Sequence, residues 1–415
     1  MSGMRSFDRR LACLSCTGLL AGMLLLAGCS ASRQIRLSNP CGFDREGEMV
    51  AIPAGRLGRA GKLLCKGVQG RSFCLTDAAG TEVPFQLTYD GKLIFRADVP
   101  AGGESTYRLE RRTGEAPVFD TVACGSHRAD RLDDIAWEND LTAFRAFGPR
   151  LQASGAKSFG YDVFTKSVRF PVVDERYRLQ RKGKSIHADN GNGMDVYEVG
   201  PTLGCGTSAL IHWGEIVYPW CYKEYEILDN GPLRFTVRLT FGPATVGKDT
   251  AVVETRLLSL DAGSYLNRVA VRYDGLSEPS TVAAGIVIHK ENPEEAWCDA
   301  GKGILAYPDL GGSAERVHGL IFCGVVRPEG FSQVGYVTLL PDGSPIKDGA
   351  TGHLLGSDPY APGSEYVYWF GSGWTKALPA GQGGNGGVKD MDAWKDILQR
   401  AAESLRHPLV CRIEK

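Results

Sequence analysis

The densest set of chemically capable side chains lies in residues 185–206, which read SIHADNGNGMDVYEVGPTLGCG. This segment holds His187, Asp189, Asp195 and Tyr197 among five glycines and one proline. Glycine lets the backbone approach a ligand closely, and polar loops on a rigid β scaffold commonly carry binding sites. The alternative is a solvated loop whose Asp and Asn side chains form turns. Because His and Tyr are not turn formers, the composition favours a functional site.

Two basic residues upstream lie within strand-like patterns. Arg145 interrupts the apolar alternation TAFRAF of residues 142–147, and Lys166 ends the segment YDVFTK of residues 161–166. An arginine that faces a cleft binds a carboxylate through two parallel hydrogen bonds. The alternative is an outward position on the solvent face of the strand. For Lys166 this surface alternative is the stronger one.

Several aromatic residues are candidates for stacking against sugar rings. Trp213 follows His212, residues 218–222 read YPWCY, and Trp374 and Lys376 lie in the glycine-flanked segment GSGWTK. Trp and Tyr combine a large apolar face with a polar tip, which suits the C–H faces of a sugar. We expect Trp374 and Lys376 to line the mouth of a cleft. Core packing is the alternative for any single aromatic residue, and His289, after the apolar run AAGIVI, is predicted to be a paired core histidine.

Standard catalytic motifs are absent from the sequence. It has no Gly-x-Ser-x-Gly elbow of serine hydrolases and no His-Glu-x-x-His zinc helix. His187, Asp189 and Asp195 match no standard metal spacing, so we predict no cofactor and keep a bound divalent metal as a minor alternative. The net charge of −1 gives no basic surface for nucleic acid.

The N-terminus has the pattern of a lipoprotein signal peptide. Arg5, Arg9 and Arg10 precede an apolar stretch that ends in Leu-Ala-Gly-Cys at Cys29. The stretch is short for a membrane span and has signal-peptide flanks. We therefore predict export, cleavage before Cys29 and acylation of that cysteine, which anchors the protein in a membrane. Ser30, rather than Asp, favours the outer membrane, with the protein facing the periplasm or the cell surface.

The cysteine count leaves disulfide bonding open. The sequence has 12 cysteines, three of which (Cys13, Cys16 and Cys29) lie in the signal peptide or at its cleavage site. The others are odd in number and show no paired zinc spacing, so they cannot all pair internally. A bridge between Cys65 and Cys74 across a hairpin is one possibility, and buried free thiols are the alternative for the rest.

The pattern of elements predicts an all-β protein with two domains. Asp90-Gly91 joins two alternating segments into a hairpin, and residues 99–109 look like a turn that leads into a last edge strand. We predict a signal peptide over residues 1–28, a lipidated tether over 29–34, a small immunoglobulin-like β-sandwich over 35–112 and a large antiparallel supersandwich over 118–415. The large domain should resemble galactose-mutarotase-like domains. One helix is predicted, at residues 392–405, where Trp394, Leu398 and Leu405 contribute to an apolar stripe.

Four sequence blocks carry a resemblance to a known family. They are WEND, AFR and GP within residues 137–149, the His187–Gly206 segment with its spaced Asp, Gly and Tyr residues, LDAGSYLNR at 260–268 and GWTK at 373–376. Together they resemble the secreted domain-of-unknown-function family number 4861, over most of the mature chain. The resemblance implies a role in glycan utilisation, beside unsaturated-uronyl hydrolases. It further implies an oligosaccharide dehydratase or lyase activity that creates the unsaturated uronate.

The sequence and the resemblance lead to one main hypothesis and two alternatives. The main one is a lyase or dehydratase that performs β-elimination at a uronic acid of an oligosaccharide. In it His187 is the base, Tyr197 the acid, Arg145 neutralises the carboxylate and Asp189 orients His187. Further substrate contacts are expected from Lys166, Asp195, Trp213, Trp374 and Lys376. The alternatives are a non-catalytic glycan-binding lipoprotein and a glycoside hydrolase with two carboxylates.

Overall fold

Antiparallel strands are the dominant regular secondary structure of the protein. The computed structural model describes residues 32–66, 73–112, 114–115, 117–378 and 384–414. The predicted signal peptide and Cys29 lie outside these residues, so cleavage and lipidation stay predictions. Among the helices described, none is long and apolar enough to cross a membrane.

The N-terminal part contains six strands and one short helix. They are β1 (Arg33–Ser38), β2 (Arg45–Pro53), α1 (Arg59–Leu64), β3 (Phe73–Thr76), β4 (Phe85–Leu87), β5 (Lys92–Val99) and β6 (Glu104–Arg111). A second group of elements follows: β7 (Cys124–Arg128), β8 (Asp134–Glu138), β9 (Ala143–Ala146), α2 (Pro149–Ala153), β10 (Asp162–Phe164) and α3 (Val173–Arg181).

The remaining elements form the body of the protein. They are β11 (Cys205–His212), β12 (Glu215–Val217), β13 (Tyr222–Asn230), β14 (Arg234–Phe241), β15 (Ala244–Val246), β16 (Asp249–Asp261), β17 (Leu266–Asp274), β18 (Ser280–His289), β19 (Trp297–Asp299), β20 (Ile304–Asp309), β21 (Ile321–Val326), β22 (Gln333–Thr338), β23 (Ala350–Tyr360), β24 (Tyr366–Trp374), α4 (Met391–Arg406) and β25 (Val410–Glu414). Short 3-10 turns occur at Ala54–Leu57, Ala129–Arg131 and Pro293–Glu295.

Two small sheets form the N-terminal sandwich. One has the order β2-β5-β4 and the other the order β25-β1-β6-β3. The predicted hairpin is confirmed: β4 pairs with β5, and Gly91 takes the positive φ of 72° that the tight turn requires. The prediction that residues 99–109 end in an edge strand is wrong, because β6 lies between β1 and β3.

The C-terminal strand belongs to this N-terminal sandwich. β25 pairs antiparallel with β1, so a strand from the end of the chain completes a sheet that begins at its start. Contacts place residues 32–415 in one unit. The domain boundary at residues 112–118 stays a prediction. β25 lies on the C-terminal side of this boundary in the sequence but pairs within the N-terminal sandwich.

Two large sheets form the predicted supersandwich. A five-stranded sheet has the order β12-β11-β18-β23-β22, and a nine-stranded sheet has the order β13-β14-β16-β17-β24-β21-β20-β19, with β15 paired to β16. Buried and partly exposed residues alternate along β16, as expected of a strand with one face on the core. The inner faces of the two large sheets share one apolar core, to which Leu258, Ile286 and Phe370 contribute. The all-β prediction, with a sandwich followed by a supersandwich, is confirmed.

A smaller sheet with the order β10-β9-β8-β7 packs on the nine-stranded sheet and carries part of the candidate site. Trp137 of β8 anchors it: its ring stacks between Phe144 and Phe235, and its indole N–H donates to Asn267 at 2.8 Å. A buried indole that is both packed and hydrogen-bonded holds its strand in a fixed position. The neighbouring strands β9 and β10 therefore project their polar residues from a rigid support.

The C-terminal helix α4 confirms the predicted element at residues 392–405. Trp394, Leu398 and Ala402 are fully buried on one face, against Phe322 and other apolar residues of the nine-stranded sheet. Asp390 caps the helix by accepting the N–H of Ala393 at 2.9 Å. The helix thus covers the outer side of the large sheet.

All nine cysteines within the described residues are free thiols. Cys65 lies directly after α1 and is exposed, whereas Cys74 lies half-buried in β3, so the bridge considered between them is absent. Cys205 and Cys323 are buried in the core of the supersandwich, as the free-thiol alternative expects.

Candidate active site

A polar cleft of about 480 Å³ lies where the β7–β10 sheet meets two loops of the supersandwich. Its walls come from β9 and β10, from the loop that precedes β11 and from the loop between β20 and β21. The polar residues that line it are Arg145, Ser158, Asp162, His187, Asp195, Tyr197, Glu198 and His318. Volumes of this size are typical of ligand pockets.

Arg145 is the centre of a buried group of charges, which we call the Arg145 cluster (Arg145, Asp134, Asp162 and Asp195). Nε donates to Asp162 at 2.8 Å, and Nη2 approaches both Asp162 and Asp195, the latter at 3.4 Å. Nη1 lies 3.7 Å from Asp134. Three carboxyl groups thus surround one guanidinium, so Arg145 has little donor capacity left to grip a substrate carboxylate alone.

The Arg145 cluster retains protons near neutral pH. Burial raises the pKa of Asp162 to about 7, although the nearby Arg145 opposes this shift. Burial also raises the pKa of Asp134 to about 6, again against the effect of Arg145. Since one cation cannot balance three buried anions, holding a proton on Asp162 or Asp134 relieves the excess negative charge. The cluster can therefore take up or share a proton in the physiological range.

His187 lies at the exposed side of the cleft with a defined ring orientation. Its Nδ1 donates to the backbone carbonyl of Asp195. A carbonyl oxygen only accepts, so Nδ1 carries the hydrogen and, in the neutral ring, Nε2 carries the lone pair. This arrangement leaves Nε2 as the atom able to accept a proton.

Asp189 and Asp195 differ in position. Asp189 is exposed, and its carboxylate accepts the N–H groups of Gly191 and Gly193 at 2.8 and 2.9 Å. It serves the loop turn and does not hold the His187 ring, contrary to the role expected for it. Asp195 is buried, lines the cleft and belongs to the Arg145 cluster. Its carbonyl takes the orienting role that was expected of Asp189.

Tyr197 lines the cleft, but its hydroxyl group faces the core. The side chain is 5% exposed, and its hydroxyl oxygen is buried without a hydrogen-bond partner among the described residues. Burial raises the pKa of Tyr197 well above its ordinary value, and the nearby Cys323 adds to the effect. The geometry therefore corrects the expectation that this hydroxyl protonates a leaving group in the cleft.

Lys166 is not in the cleft. Its ammonium is fully buried and donates to Glu138 at 2.8 Å and to the carbonyl of Asn139. Glu138 also accepts the N–H groups of Val172 and Val173 at the start of α3, at 2.8 to 2.9 Å. Lys166 is therefore neither on the protein surface nor in contact with the cleft. Its buried ammonium binds Glu138 of β8, and Glu138 in turn binds the start of α3.

Trp374 and Lys376 hold a loop that lines the cleft. The indole N–H of Trp374 donates to the carbonyl of His318 at 2.8 Å, and the ammonium of Lys376 donates to the carbonyl of Val317. Trp374 is itself buried in the core at 3% exposure. The two residues therefore position His318, and neither of them lines the cleft described above.

Trp213 lies away from the cleft. It occupies the turn between β11 and β12, with 91% of its surface exposed and a φ of 50°. Its ring contacts His212, at 4.5 Å between centroids. The structure thus does not bring Trp213 together with the other predicted site residues.

Several cleft residues were not selected from the sequence as site residues, and Asp162, His318 and Glu198 are the ionisable ones among them. Asp162 pairs with Arg145 in the register of β9 and β10, so an acidic residue in a strand beside a strand arginine was the available signal. Burial raises the pKa of Glu198. His318 comes from a distant loop, and the local sequence around it gives no indication of the site.

His289 is the paired core histidine that the sequence predicts. Its Nδ1 lies 2.6 Å from Asp309, and the side chain is buried. Asp309 in turn accepts the N–H of Gly311 at 2.7 Å, which fixes one wall of the cleft. Within the described residues, no group of three or more His, Cys, Asp and Glu side chains is arranged to hold a metal ion.

Comparison with known proteins gives a family and several distant relatives. An uncharacterized protein, P7, of Formosa agariphila is 26% identical over 335 residues, which are 78% of each chain. A glycosyl hydrolase family 38 protein and an alpha-mannosidase, both from Enterococcus faecalis, resemble 93% of this chain at 10% and 9% identity, with TM-scores of 0.46 and 0.41. The chain spans about half the length of those two structures, 48% and 46%.

A family model matches residues 37–411, which is nearly all of the described part of the chain. This match includes the N-terminal sandwich, the supersandwich and the whole cleft. The protein therefore belongs to the family described as Domain of unknown function (DUF4861).

Proposed function

We propose that the protein is a carbohydrate-active lyase that performs β-elimination at a uronic acid of an oligosaccharide. The observation that carries the proposal is the position of His187, whose Nδ1–H bond to the Asp195 carbonyl leaves Nε2 free to act as a base. A proton-sharing cluster of acids around a guanidinium lines the same cleft. A base beside a site for a carboxyl group is the combination that elimination next to a carboxylate requires.

The carboxylate of the substrate is the first difficulty of this chemistry. Its charge must be neutralised before the proton at C5 becomes acidic enough to remove. In the proposed reaction the substrate carboxylate lies against the Arg145 cluster and shares the proton held by Asp162. A hydrogen bond from a neutral carboxyl group to a carboxylate is strong and short, and it strengthens as charge develops on the substrate.

Proton removal and departure of the leaving group complete the reaction. His187 Nε2 takes the C5 proton, the electron pair forms the C4–C5 double bond, and the C4–O4 bond breaks. His318 protonates the departing oxygen, so water or a sugar leaves. We assign this acid role to His318 because it lines the cleft, whereas the Tyr197 hydroxyl is buried in the core.

A second candidate function is glycoside hydrolysis. The observation that favours it is the presence of two carboxyl groups, Asp195 and Glu198, in one cleft, with the pKa of Glu198 raised by burial. A raised pKa is what a general acid requires, and the second carboxylate is the nucleophile or base of such enzymes. A non-catalytic binding role for the same cleft is the third outcome of the test below.

The location of this activity is also a proposal. The Leu-Ala-Gly-Cys sequence at Cys29 supports export and attachment to a membrane by lipid on that residue, with the outer membrane favoured by Ser30. The protein would then meet oligosaccharides at the cell surface or in the periplasm. The proposed partners are thus a uronate-containing oligosaccharide and a lipid bilayer.

The decisive experiment is incubation of the protein with saturated, uronate-ended oligosaccharides while the ultraviolet absorbance of the conjugated unsaturated uronate is followed. His187→Ala should lower the rate by about 10² to 10⁴-fold and change binding by only a few-fold. His407→Ala is the matched control, because the His407 side chain is exposed at the end of α4 and, among the described residues, its imidazole pairs with Glu403 alone, while the backbone carbonyl that holds Arg45 is kept in the variant. It should leave the rate unchanged.

The other outcomes separate the candidate functions. Release of a saturated sugar without absorbance indicates a hydrolase, and affinity without any product indicates a binding protein. If the wild type forms the unsaturated product and His187→Ala retains the full rate, His187 is not the base and the proposed mechanism is wrong.

A further inference from the structure

A second hollow, of about 360 Å³, opens near the cleft and has a different lining. Its walls come from α2, from the segment between β12 and β13, and from the turn between β14 and β15. Most of its lining is apolar or aromatic, with Tyr218, Trp220, Phe241 and Tyr273 as the aromatic side chains. We call it the aromatic hollow.

Trp220 lines the aromatic hollow and carries an unsatisfied hydrogen-bond donor. Its indole nitrogen is buried and has no hydrogen-bond partner among the described residues. Leaving a buried donor unpaired is unfavourable, so such a group commonly marks the place of a missing partner. A ring face with an unpaired N–H at its edge suits a sugar, which offers C–H groups to the ring and hydroxyl groups to the donor.

The aromatic hollow also contains an acidic group that the candidate mechanism does not use. Glu254 lines it and pairs with Arg256 at 2.5 Å, and burial raises the pKa of Glu254. The Arg256 guanidinium lies over the rings of Phe241 and Tyr161, at 4.4 and 5.5 Å. Because the Arg256 charge is already paired inside the protein, Arg256 is not available to a substrate carboxylate. The apolar and aromatic lining suits the C–H face of a sugar, and the exposed Lys223 at the hollow can meet a carboxylate if that sugar is charged.

The aromatic hollow and the cleft are neighbours. A small void of about 10 Å³ between them shares Phe147 and Ser158 with the cleft, and Trp220 and Phe241 with the hollow. Phe159, beside Ser158, packs on Tyr218 with 5.1 Å between ring centroids and meets Trp220 edge-on at 5.7 Å. Ser158 and Phe159 therefore form the ridge that separates the two spaces.

We propose that the aromatic hollow is a second sugar subsite, which holds a non-reacting sugar residue of the oligosaccharide whose terminal uronate occupies the cleft. The chain of sugars crosses the ridge at Ser158. The identity of the reacting residue rests on the proposed function, whereas the subsite itself rests on the hollow, the Trp220 indole and the shared walls. The sequence segment YPWCY thereby supplies a sugar-stacking residue at Trp220, while Tyr222 packs in the core.

The test compares ligand lengths in an inactive background. Affinities of His187→Ala protein for saturated uronate-ended disaccharides and tetrasaccharides from pectate, alginate, ulvan and hyaluronan are measured by calorimetry. The best-bound tetrasaccharide should bind about tenfold more tightly than its disaccharide, a ratio equivalent to ~1.4 kcal/mol. Adding Trp220→Ala should remove most of this ratio. Tyr89→Ala is the control, since this aromatic residue is exposed at the β4–β5 turn and lines neither the cleft nor the hollow, and it should preserve the ratio.

The remaining variants and outcomes complete the test. Trp220→Phe keeps a ring but removes the N–H, so it should lose part of the ratio, and thermal unfolding of each variant checks that the fold is intact. Equal affinities for the two lengths, a ratio that persists in Trp220→Ala, or no binding by any oligosaccharide overturns the subsite. Formation of unsaturated product by the wild type is scored separately. A length dependence without product therefore contradicts the proposed function alone, and product without length dependence contradicts the subsite alone.

Discussion

Replacing Asp162 with Asn tests the central electrostatic feature of the cleft. Asp162 is fully buried, and burial raises its pKa from an ordinary 3.8 to about 7 despite its contact with Arg145. Between these two values the folded protein holds a proton on Asp162 that the unfolded chain has released. The folded state binds more protons, so stability falls as the pH rises through this window.

The size of the effect follows from the two pKa values. From about pH 5 to about pH 8, the unfolded carboxyl group is ionised throughout, whereas the folded one ionises only near the upper end. Integration over this range gives a loss of about 2–3 kcal/mol of folding free energy from Asp162 alone. Asp162→Asn removes this titration. The stability of the variant relative to the wild type should therefore rise by the same amount between the two pH values.

Urea unfolding followed by tryptophan fluorescence at both pH values measures this difference. The pKa values of Asp134 and His289 are also raised in the folded protein, so these groups too lower the stability as the pH rises. Only the difference between variant and wild type is therefore diagnostic of Asp162. Asp249→Asn is the matched control. Asp249 is partly exposed near the surface, and the N–H of Ser277 lowers its pKa, so it is ionised in both states over the whole range. Its variant should differ from the wild type equally at both pH values.

A flat or falling difference for Asp162→Asn would refute the reasoning. It would mean that Arg145 stabilises the ionised carboxylate more than burial penalises it. The proposed neutralisation of a substrate carboxylate by the Asp162 proton would then lose its basis. If the reasoning holds, the elimination rate should also decrease as the pH rises through the same range.

Three further predictions address residues whose positions differ from those expected. Tyr197→Phe removes a buried hydroxyl group that has no hydrogen-bond partner among the described residues. The elimination rate should therefore stay within a few-fold of the wild-type rate, and the stability should be unchanged or slightly higher. A rate loss of 10²-fold or more in the absorbance assay would restore the acid role to Tyr197. Lys166→Met leaves Glu138 buried without its cation and should lower the free energy of unfolding in urea by about 3 kcal/mol. This is near the lower end of the range for broken buried pairs, because Glu138 keeps its hydrogen bonds to the start of α3. Unchanged stability with reduced substrate affinity would contradict this prediction. Cys29→Ala should move the protein from the membrane to the soluble fraction of cells, and unchanged membrane association would exclude the lipid anchor.

Local features of the structure were predictable from the sequence because neighbours in the chain decide them. Asp90-Gly91 specifies a tight turn through the positive φ that glycine accepts, and the hairpin forms there. The apolar stripe of Trp394, Leu398 and Ala402 repeats at the helical period, so α4 lies within one residue of its predicted bounds. The family, too, is recognisable from spaced residues such as those of the His187–Gly206 segment.

The functions of the charged side chains depended on contacts that the sequence does not contain. Lys166 resembles a surface or cleft lysine until β8 and α3 bring Glu138 to it inside the protein. Arg145 lies near the candidate site as expected, but only the pairing of β9 with β10 and the path of the 187–200 loop surround it with three carboxyl groups. His318 reaches the cleft because Trp374 and Lys376 hold its loop from another strand. Charges act over a few ångströms in space and are indifferent to separation along the chain, so the sequence determined which groups are available, and the tertiary structure decided which of them are paired and which face the cleft.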